Sequence, residues 1–231
     1  MNRRILGPGT RTKLVIFDMA GTIINEGGII YDAIYRTLDN MGYNPNESDK
    51  ESWYGRDKKE VLRKCIENKH RSKVDINILT QTAEKNLIQE LENMYFKKGN
   101  ISLMPNTMNV INELRFNNIN VALNTGYPKE MQEKILDHFN LRSNIDAYIS
   151  SDQVGVGRPF PYMIYNLMEQ CKIYDPKVVV KVGDTKNDIL EGMNANIGLT
   201  IGVLSGAGNM EDFTKHANFI VKDISFVPDL L

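Results

Sequence analysis

The segment Lys13-Leu-Val-Ile-Phe-Asp-Met-Ala-Gly-Thr-Ile-Ile24 carries the strongest signal for the fold of this chain. Its apolar run at residues 14–17 is short, rich in branched and aromatic side chains, and stops at Asp18 before a tight turn. This pattern indicates a buried central strand of a parallel sheet rather than a helix. Open α/β sheets bind ligands at the carboxyl ends of their strands. Asp18 is therefore a candidate nucleophile and magnesium ligand, and the alternative is an aspartate that only caps the turn.

The composition restricts the class of protein. The chain has 231 residues, 42% of them hydrophobic and 25% charged, enough for one large domain or for a core with a smaller inserted one. The net charge of −1 lacks the basic field of nucleic-acid-binding proteins, so we expect no nucleic-acid partner. Cys65 and Cys171 show neither metal-ligand spacing nor a disulfide framework. With no apolar run of about 20 residues and no signal peptide, we predict a cytoplasmic protein without a membrane partner.

A run of helical patterns interrupts the predicted core. Apolar residues recur at helical spacing through residues 27–100, and no convincing strand lies among them. Breaks rich in glycine, asparagine and lysine predict hinges near 25–28 and 97–104. We therefore predict core residues 1–26 and 101–231, with an all-helical insert at 27–100 and a loose arm over residues 1–11.

Strand and helix patterns alternate after the insert. Strands are predicted at residues 120–124, 146–150, 177–182, 199–204 and 219–221, and helices at 106–117, 128–139, 161–171 and 189–194. Alternation of this kind predicts a doubly wound α/β fold, with a parallel sheet covered by helices on both faces.

Polar groups follow three of the predicted strands. Asp18, Thr125 and Asp184 each come at a strand end, and a doubly wound sheet brings these ends to one edge. Together with Arg158 and the amides around Gly126, this set suits attack of a carboxylate on phosphorus. Mg²⁺ takes oxygen ligands, and hydroxyl, amide and cationic groups hold the charge of the phosphoryl oxygens. An aspartyl-phosphate is an established form of nucleophilic catalysis.

Four motifs in order carry a resemblance. They are Asp18-Met-Ala-Gly-Thr22, Asn124-Thr-Gly126, Gly157-Arg-Pro159 and Gly183-Asp-Thr-Lys-Asn-Asp188. In this order, each placed correctly relative to a predicted strand, they resemble the haloacid dehalogenase superfamily of phosphotransferases. The helical insert is similar to the cap of that superfamily's first cap class.

The resemblance implies roles for individual residues. Asp18 would be the nucleophile and a metal ligand, and Asp184 the second carboxylate ligand of Mg²⁺. Asp188 would bind the ion through water or orient the site, and the backbone carbonyl of Ala20 would complete the protein's share of the shell. The remaining candidate phosphate-binding positions are Gly21, Thr22, Thr125, Gly126 and Arg158.

Three features resemble the phosphonatase branch, which hydrolyses phosphonoacetaldehyde to acetaldehyde and phosphate. Ala20 stands where phosphate-monoester hydrolases of the superfamily have an aspartate that protonates the leaving oxygen, and that branch carries alanine there. The segments Gly157-Arg-Pro-Phe-Pro-Tyr-Met163 and Val180-Lys-Val-Gly-Asp-Thr185 are also similar to the branch.

The same branch uses a cap lysine that forms a Schiff base with the substrate aldehyde. Gly55-Arg-Asp-Lys58 places Lys58 at the offset found in that branch. The lysine must be neutral to attack, so burial or nearby cations must lower its pKa. The candidate cations are Arg56, Lys59 and Arg63.

The residues around Lys58 depart from the branch pattern, because Glu60-Val61 stands where an aspartate-histidine pair is expected. Two other interpretations therefore stay open: Lys58 or Arg56 binds the remote end of the substrate, or Lys58 is a solvated helix lysine. We expect a small phosphonate or phosphorylated substrate and, from the resemblance, a homodimer through the cap. The alternatives are a hydrolase of another such substrate without imine chemistry, and a catalytically weak ligand-binding protein on this fold.

Overall fold

A computed structural model of the protein describes residues 11–70 and 75–231. The predicted arm therefore lies outside the described residues except for its last residue. The strands are β1 (Leu14–Asp18), β2 (Ile24–Asn25), β3 (Ser102–Leu103), β4 (Asn120–Thr125), β5 (Ala147–Ser150), β6 (Val179–Gly183), β7 (Leu199–Val203) and β8 (Phe219–Val221). The helices are α1 (Ile29–Asn40), α2 (Lys58–Lys69), α3 (Ile76–Glu92), α4 (Thr107–Phe116), α5 (Lys129–His138), α6 (Tyr162–Gln170), α7 (Lys186–Asn194) and α8 (Met210–Thr214).

Six parallel strands form the main sheet, in the order β5-β4-β1-β6-β7-β8. The first strand lies in the middle, with Leu14 opposite Asn120 on one side and Val179 on the other. Alternate residues of β1 belong to two separate hydrophobic clusters: Val15 lies in one and Ile16 in the other. Because side chains of a strand alternate between faces, both faces of the sheet are buried. The predicted doubly wound α/β fold is confirmed.

Between β2 and β3 the described residues contain helices and no strand. We call residues 26–101 the helical insert. Helices α1 and α2 both pack against α3. The Asp57 carboxylate accepts a hydrogen bond from the Glu60 amide at the start of α2, and Asp75 caps α3 in the same way.

Several short elements were not predicted from the periodicity of the sequence. Strands β2 and β3 pair antiparallel and bring together the two crossings between sheet and insert, but two residues are too few to show alternation. The 3₁₀ segment Glu47–Trp53 and the five-residue helix α8 are equally short of a repeating apolar face. The predicted hinge at 25–28 differs from an open linker, because Glu26 is buried and hydrogen-bonded.

Within the described ranges, no helix combines the length and the apolar character that a membrane crossing requires.

Candidate active site

The carboxyl ends of the central strands bring the predicted polar residues together. Asp18 ends β1, Thr125 ends β4 and Asp184 follows β6, while Arg158 reaches them from the loop before α6. All four side chains are buried. Carboxylate oxygens of Asp18, Asp184 and Asp188 lie within 4.8 Å of one another. The edge of the sheet therefore gathers three carboxyl groups and the Arg158 guanidinium at buried positions.

Arg158 connects two of these carboxylates. Its Nη2 atom lies 2.6 Å from Asp18 Oδ1, and its Nη1 atom lies 2.5 Å from Asp188 Oδ1. Burial would lower the pKa of Arg158, but the carboxylates of Asp188, Asp18 and Glu191 outweigh it and raise that pKa. Burial would raise the pKa of Asp188, yet Arg158 and Lys181 outweigh it and hold that pKa below its usual value. The guanidinium predicted to bind phosphate thus stays charged beside the candidate nucleophile.

The other two carboxylates lack sufficient positive charge. Burial raises the pKa of Asp18, and Arg158 offsets only part of the rise. Burial, together with the charges of Asp18 and Asp188, raises the pKa of Asp184 well above its usual value. In the described part of the chain no lysine or arginine nitrogen lies within 4.0 Å of Asp184. A cluster of hard oxygen donors with uncompensated charge fits a divalent cation such as Mg²⁺.

The turn after β1 is shaped around Asp184. Gly21 has a φ of +77°, and a Cβ atom at this position would lie 2.3 Å from Asp184 Oδ2. Both facts require glycine here. Asp184 accepts hydrogen bonds from the Ala207 amide at 2.7 Å and from the Thr22 hydroxyl at 3.4 Å. Thr22 thus contacts a carboxylate in this structure, whereas the sequence had suggested phosphate.

A cavity of about 280 Å³ lies beside the turn, between the sheet and the helical insert. Its wall includes the Ala20 and Gly21 turn and Asp184 from the core, and Tyr31 and Tyr54 from the insert. Because Ala20 carries only a methyl group, the position two residues after Asp18 offers no proton donor to this cavity. The volume suits a small molecule.

Lys58 is buried although it begins a highly charged helix, since only 6% of the residue is exposed. Its Nζ atom donates a hydrogen bond to the Arg56 carbonyl at 3.0 Å and lies 5.2 Å from the centre of the Tyr31 ring. Burial, followed by the charge of Arg158, lowers the pKa of Lys58 to about 8, while Asp18 opposes the shift. The interpretation of Lys58 as a solvated helix lysine is therefore wrong.

The cations predicted to lower this pKa were misidentified. The side chains of Arg56, Lys59 and Arg63 form ion pairs with Glu60, Glu84 and Glu67. Lys59 and Arg63 follow Lys58 on α2 by one and five positions, and such positions face different directions around a helix. The cation that acts on Lys58 is Arg158, which lies 100 positions later in the chain. The Arg56 guanidinium is about one-third exposed and is held by Glu60, away from the three carboxylates.

The segment around Lys58 sits directly on the strand ends. The Lys58 amide donates to the Gly126 carbonyl at 3.2 Å, and the Asn187 side chain donates to the Tyr54 carbonyl at 2.8 Å. The Ser151 hydroxyl contacts Asp57. A Cβ atom on Gly126 would lie 2.5 Å from the Arg56 carbonyl oxygen, so glycine permits this close approach. Core and insert therefore meet at the site through backbone as well as side-chain contacts.

The Thr125 hydroxyl is buried and accepts a hydrogen bond from the Tyr127 amide at 3.2 Å. This bond holds the loop of the second motif in a tight turn. That bond does not use the proton of the hydroxyl, and its donation to a phosphoryl oxygen stays a prediction.

A group of buried charged residues behind the candidate site was not predicted from the sequence. Lys181, in the middle of β6, is fully buried and donates to Asn124 at 2.6 Å and to Asp188 at 2.9 Å. The Glu191 carboxylate accepts two bonds from the Asn124 amide, at 3.0 and 2.9 Å. Burial raises the pKa of Glu191 to about 7, against the charges of Lys181 and Arg158. A lysine inside an apolar strand was the available signal, because charged residues are almost never fully buried without partners.

Residues 15–202 match the family described as haloacid dehalogenase-like hydrolase. The phosphonoacetaldehyde hydrolase of Lactiplantibacillus plantarum is 32% identical over 215 residues, covering 86% of this chain and 78% of that protein. The phosphonoacetaldehyde hydrolase of Latilactobacillus sakei is 30% identical over 207 residues, covering 86% and 77%. A crystal structure of a phosphonoacetaldehyde hydrolase-like protein from Oleispira antarctica has a TM-score of 0.79 at 19% identity, covering 100% of this chain and 95% of that chain. This last similarity shows a shared fold.

Proposed function

Because this chain belongs to the haloacid dehalogenase-like hydrolases, and within them is phosphonatase-like, we propose that it cleaves the P–C bond of phosphonoacetaldehyde. The observation that carries the proposal is the position of Lys58. A buried amine with a pKa near 8 lies at the edge of the sheet that carries Asp18, and the charge of Arg158 acts on it. The absence of an acid at Ala20 fits the same reaction, because an imine substitutes for protonation of the leaving group.

The chemistry begins at Lys58. At pH 7 a pKa near 8 leaves about one amine in ten neutral, against about one in three thousand for an ordinary lysine. The neutral Nζ atom attacks the aldehyde carbon, and uptake of one proton with loss of one water forms a protonated imine. The positive nitrogen then withdraws the electron pair that is released when the carbon–phosphorus bond breaks. This sink makes a carbon leaving group possible without a proton donor.

Phosphoryl transfer follows at Asp18. Its carboxylate attacks phosphorus, the P–C electron pair moves into the enamine at Lys58, and an aspartyl-phosphate forms. Arg158 and the Thr125 hydroxyl hold the charge of the phosphoryl oxygens. Water then cleaves the aspartyl-phosphate, while the enamine takes up a proton and hydrolyses to acetaldehyde. The free amine of Lys58 and the carboxylate of Asp18 are restored.

We place Mg²⁺ at the cluster of Asp18, Asp184 and Asp188, with the backbone carbonyl of Ala20 as a further ligand. The uncompensated carboxylate charge at Asp184 supports this assignment. When bound, the ion reduces the repulsion between the carboxylate nucleophile and an anionic phosphoryl group.

We propose that residues 27–100, within the helical insert, act as a cap. In this proposal they move on hinges near 25–28 and 97–104 relative to a core of residues 1–26 and 101–231, and closure excludes water from the site. The seating of the Lys58 segment on the strand ends supports this role. Dimerisation through the cap stays a prediction.

Trapping tests the imine. Borohydride added with phosphonoacetaldehyde should reduce the imine and leave a stable adduct on the wild-type protein, located at Lys58 by peptide mass analysis. Lys58→Ala should give no adduct, while Lys59→Ala, in the exposed neighbour, should be labelled like the wild type. No adduct on the wild-type protein, or an adduct that survives Lys58→Ala, contradicts imine chemistry.

Substitution tests the nucleophile. Asp18→Asn should abolish phosphate release and prevent ³²P labelling of the protein by a labelled substrate. Unchanged turnover in this variant contradicts the assignment. Activity on other phosphonates or on phosphate monoesters, without borohydride trapping, would favour the alternative of a hydrolase without an imine.

A further inference from the structure

A buried chain of one carboxylate and two hydroxyls joins the insert to the loop of the second motif. Glu26 lies in the first crossing, Tyr95 in the π-helical turn Asn93–Lys97 that leaves the insert, and Tyr127 directly after Gly126. The Tyr95 hydroxyl lies 3.1 Å from Glu26 Oε2 and 2.7 Å from the Tyr127 hydroxyl. All three residues are buried. None of them was predicted to have a role, and the proposed reaction does not use them.

The direction of these hydrogen bonds follows from the donors available. The Glu26 carboxylate accepts from the Gly28 amide at 3.0 Å, from the Ile30 amide at 2.8 Å and from the Tyr95 hydroxyl. Since Tyr95 gives its only proton to Glu26, the bond between the two hydroxyls must be donated by Tyr127. The orientation of each proton in the chain is thereby set by the carboxylate.

Helix capping explains only part of this arrangement. The two amide bonds account for Glu26 as a cap of α1. They do not require Tyr95, which comes from the other crossing, or Tyr127, which comes from the core. A carboxylate and two hydroxyls buried together are costly unless each finds a partner, so the three side chains favour one relative position of these three segments.

The relative position of these three segments affects both Thr125 and the segment that carries Lys58. The Tyr127 amide donates to the Thr125 hydroxyl, and the Gly126 carbonyl accepts from the Lys58 amide. The Tyr127 hydroxyl therefore anchors a loop that touches a proposed phosphate-binding group on one side and the amine-bearing segment on the other. Tyr95 is the link between this loop and the insert.

We propose that Tyr95 and Glu26 are positioning residues, which hold the Thr125–Tyr127 loop against the insert and so align Thr125 with Lys58. The expected effect on kcat rests on the proposed function. The positioning of the loop does not, because it exists in the protein without substrate.

Tyr95→Phe removes the central hydroxyl and keeps the ring. With phosphonoacetaldehyde, we expect kcat to fall about 10-fold while KM changes less than twofold, because one hydrogen bond to a charged acceptor is lost and no substrate contact is removed. Tyr43→Phe is the matched control, since its hydroxyl contacts His70 within the insert. This control should keep the wild-type kcat.

Amide hydrogen exchange without substrate supplies the second readout. Tyr95→Phe should speed exchange in residues 24–30 and 125–127 several-fold, and Tyr43→Phe should leave both segments unchanged. If the wild-type protein does not turn over phosphonoacetaldehyde, the proposed function fails and exchange alone decides the positioning role. Wild-type exchange in Tyr95→Phe overturns the inference, as does wild-type kcat in an active protein. Should that variant not fold, exchange in Glu26→Gln, which keeps an acceptor oxygen for α1, decides the inference: faster exchange in residues 24–30 and 125–127 supports it, and wild-type exchange overturns it.

Discussion

Replacing Lys58 with methionine should make the protein more stable at neutral pH while abolishing imine formation. Burial lowers the pKa of Lys58 from 10.5 to about 8. At about 1.4 kcal/mol per tenfold change in acid constant, the charged amine costs the folded state about 3 kcal/mol. Methionine fills a similar volume without charge but loses the bond to the Arg56 carbonyl, worth about 1 kcal/mol. The expected net gain at pH 7 is therefore about 2 kcal/mol.

The stability difference between the wild type and Lys58→Met should depend on pH. Below pH 8 the lysine is protonated in both folded and unfolded chains, so the wild type bears the whole cost. Between pH 8 and 10.5 the unfolded chain binds the extra proton, and the stability of the wild type rises with pH. The advantage of Lys58→Met should therefore fall from about 2 kcal/mol at pH 7 to near zero at pH 10.

Urea unfolding of both proteins at these two pH values measures the difference, because other groups contribute equally and cancel. Lys59→Met is the control, since the Lys59 side chain is about half exposed and its loss should change stability by less than about 1 kcal/mol at pH 7. A stability difference between wild type and Lys58→Met that stays constant from pH 7 to pH 10 would refute the view of Lys58 as a desolvated amine.

Two further perturbations test the metal site and the contact between core and insert. Mg²⁺ should raise the melting temperature of the wild type, and Asp184→Asn should lose most of that rise. The variant should also need at least about tenfold more Mg²⁺ for half-maximal activity. Equal stabilisation of both proteins by Mg²⁺ would contradict the assigned ligands. Gly126→Ala should lower kcat/KM at least about tenfold, because its Cβ atom would lie 2.5 Å from the Arg56 carbonyl oxygen. Gly155→Ala, where a Cβ atom meets nothing within 4 Å, is the matched control and should keep wild-type activity.

Much of the site could be anticipated because strand ends are visible in a sequence. The apolar run before Asp18 and the one before Asp184 identify buried parallel strands, and the topology then brings their ends to one edge. Helices could be predicted where apolar residues recur at helical spacing, and α5 and α6 each end within one residue of the predicted bounds. Where a repeating apolar face is absent, as in β2 and β3, the sequence carried no usable signal.

The errors concern which side chains face each other. Arg56, Lys59 and Arg63 are neighbours of Lys58 in the sequence, but each pairs with a glutamate instead. The charge that acts on Lys58 belongs to Arg158, which only the packing of the insert on the core brings close.

The amino-acid sequence alone was sufficient to predict the fold class, the edge of the sheet at which the candidate site lies, and the places of Asp18, Ala20 and Lys58 within the quoted motifs. These features depend on local pattern: apolar runs, turn residues and fixed spacing. Tertiary packing was needed to establish the burial of Lys58 and the chain of Glu26, Tyr95 and Tyr127. Desolvation and pairing depend on atoms that are distant in sequence, so no local pattern can report them.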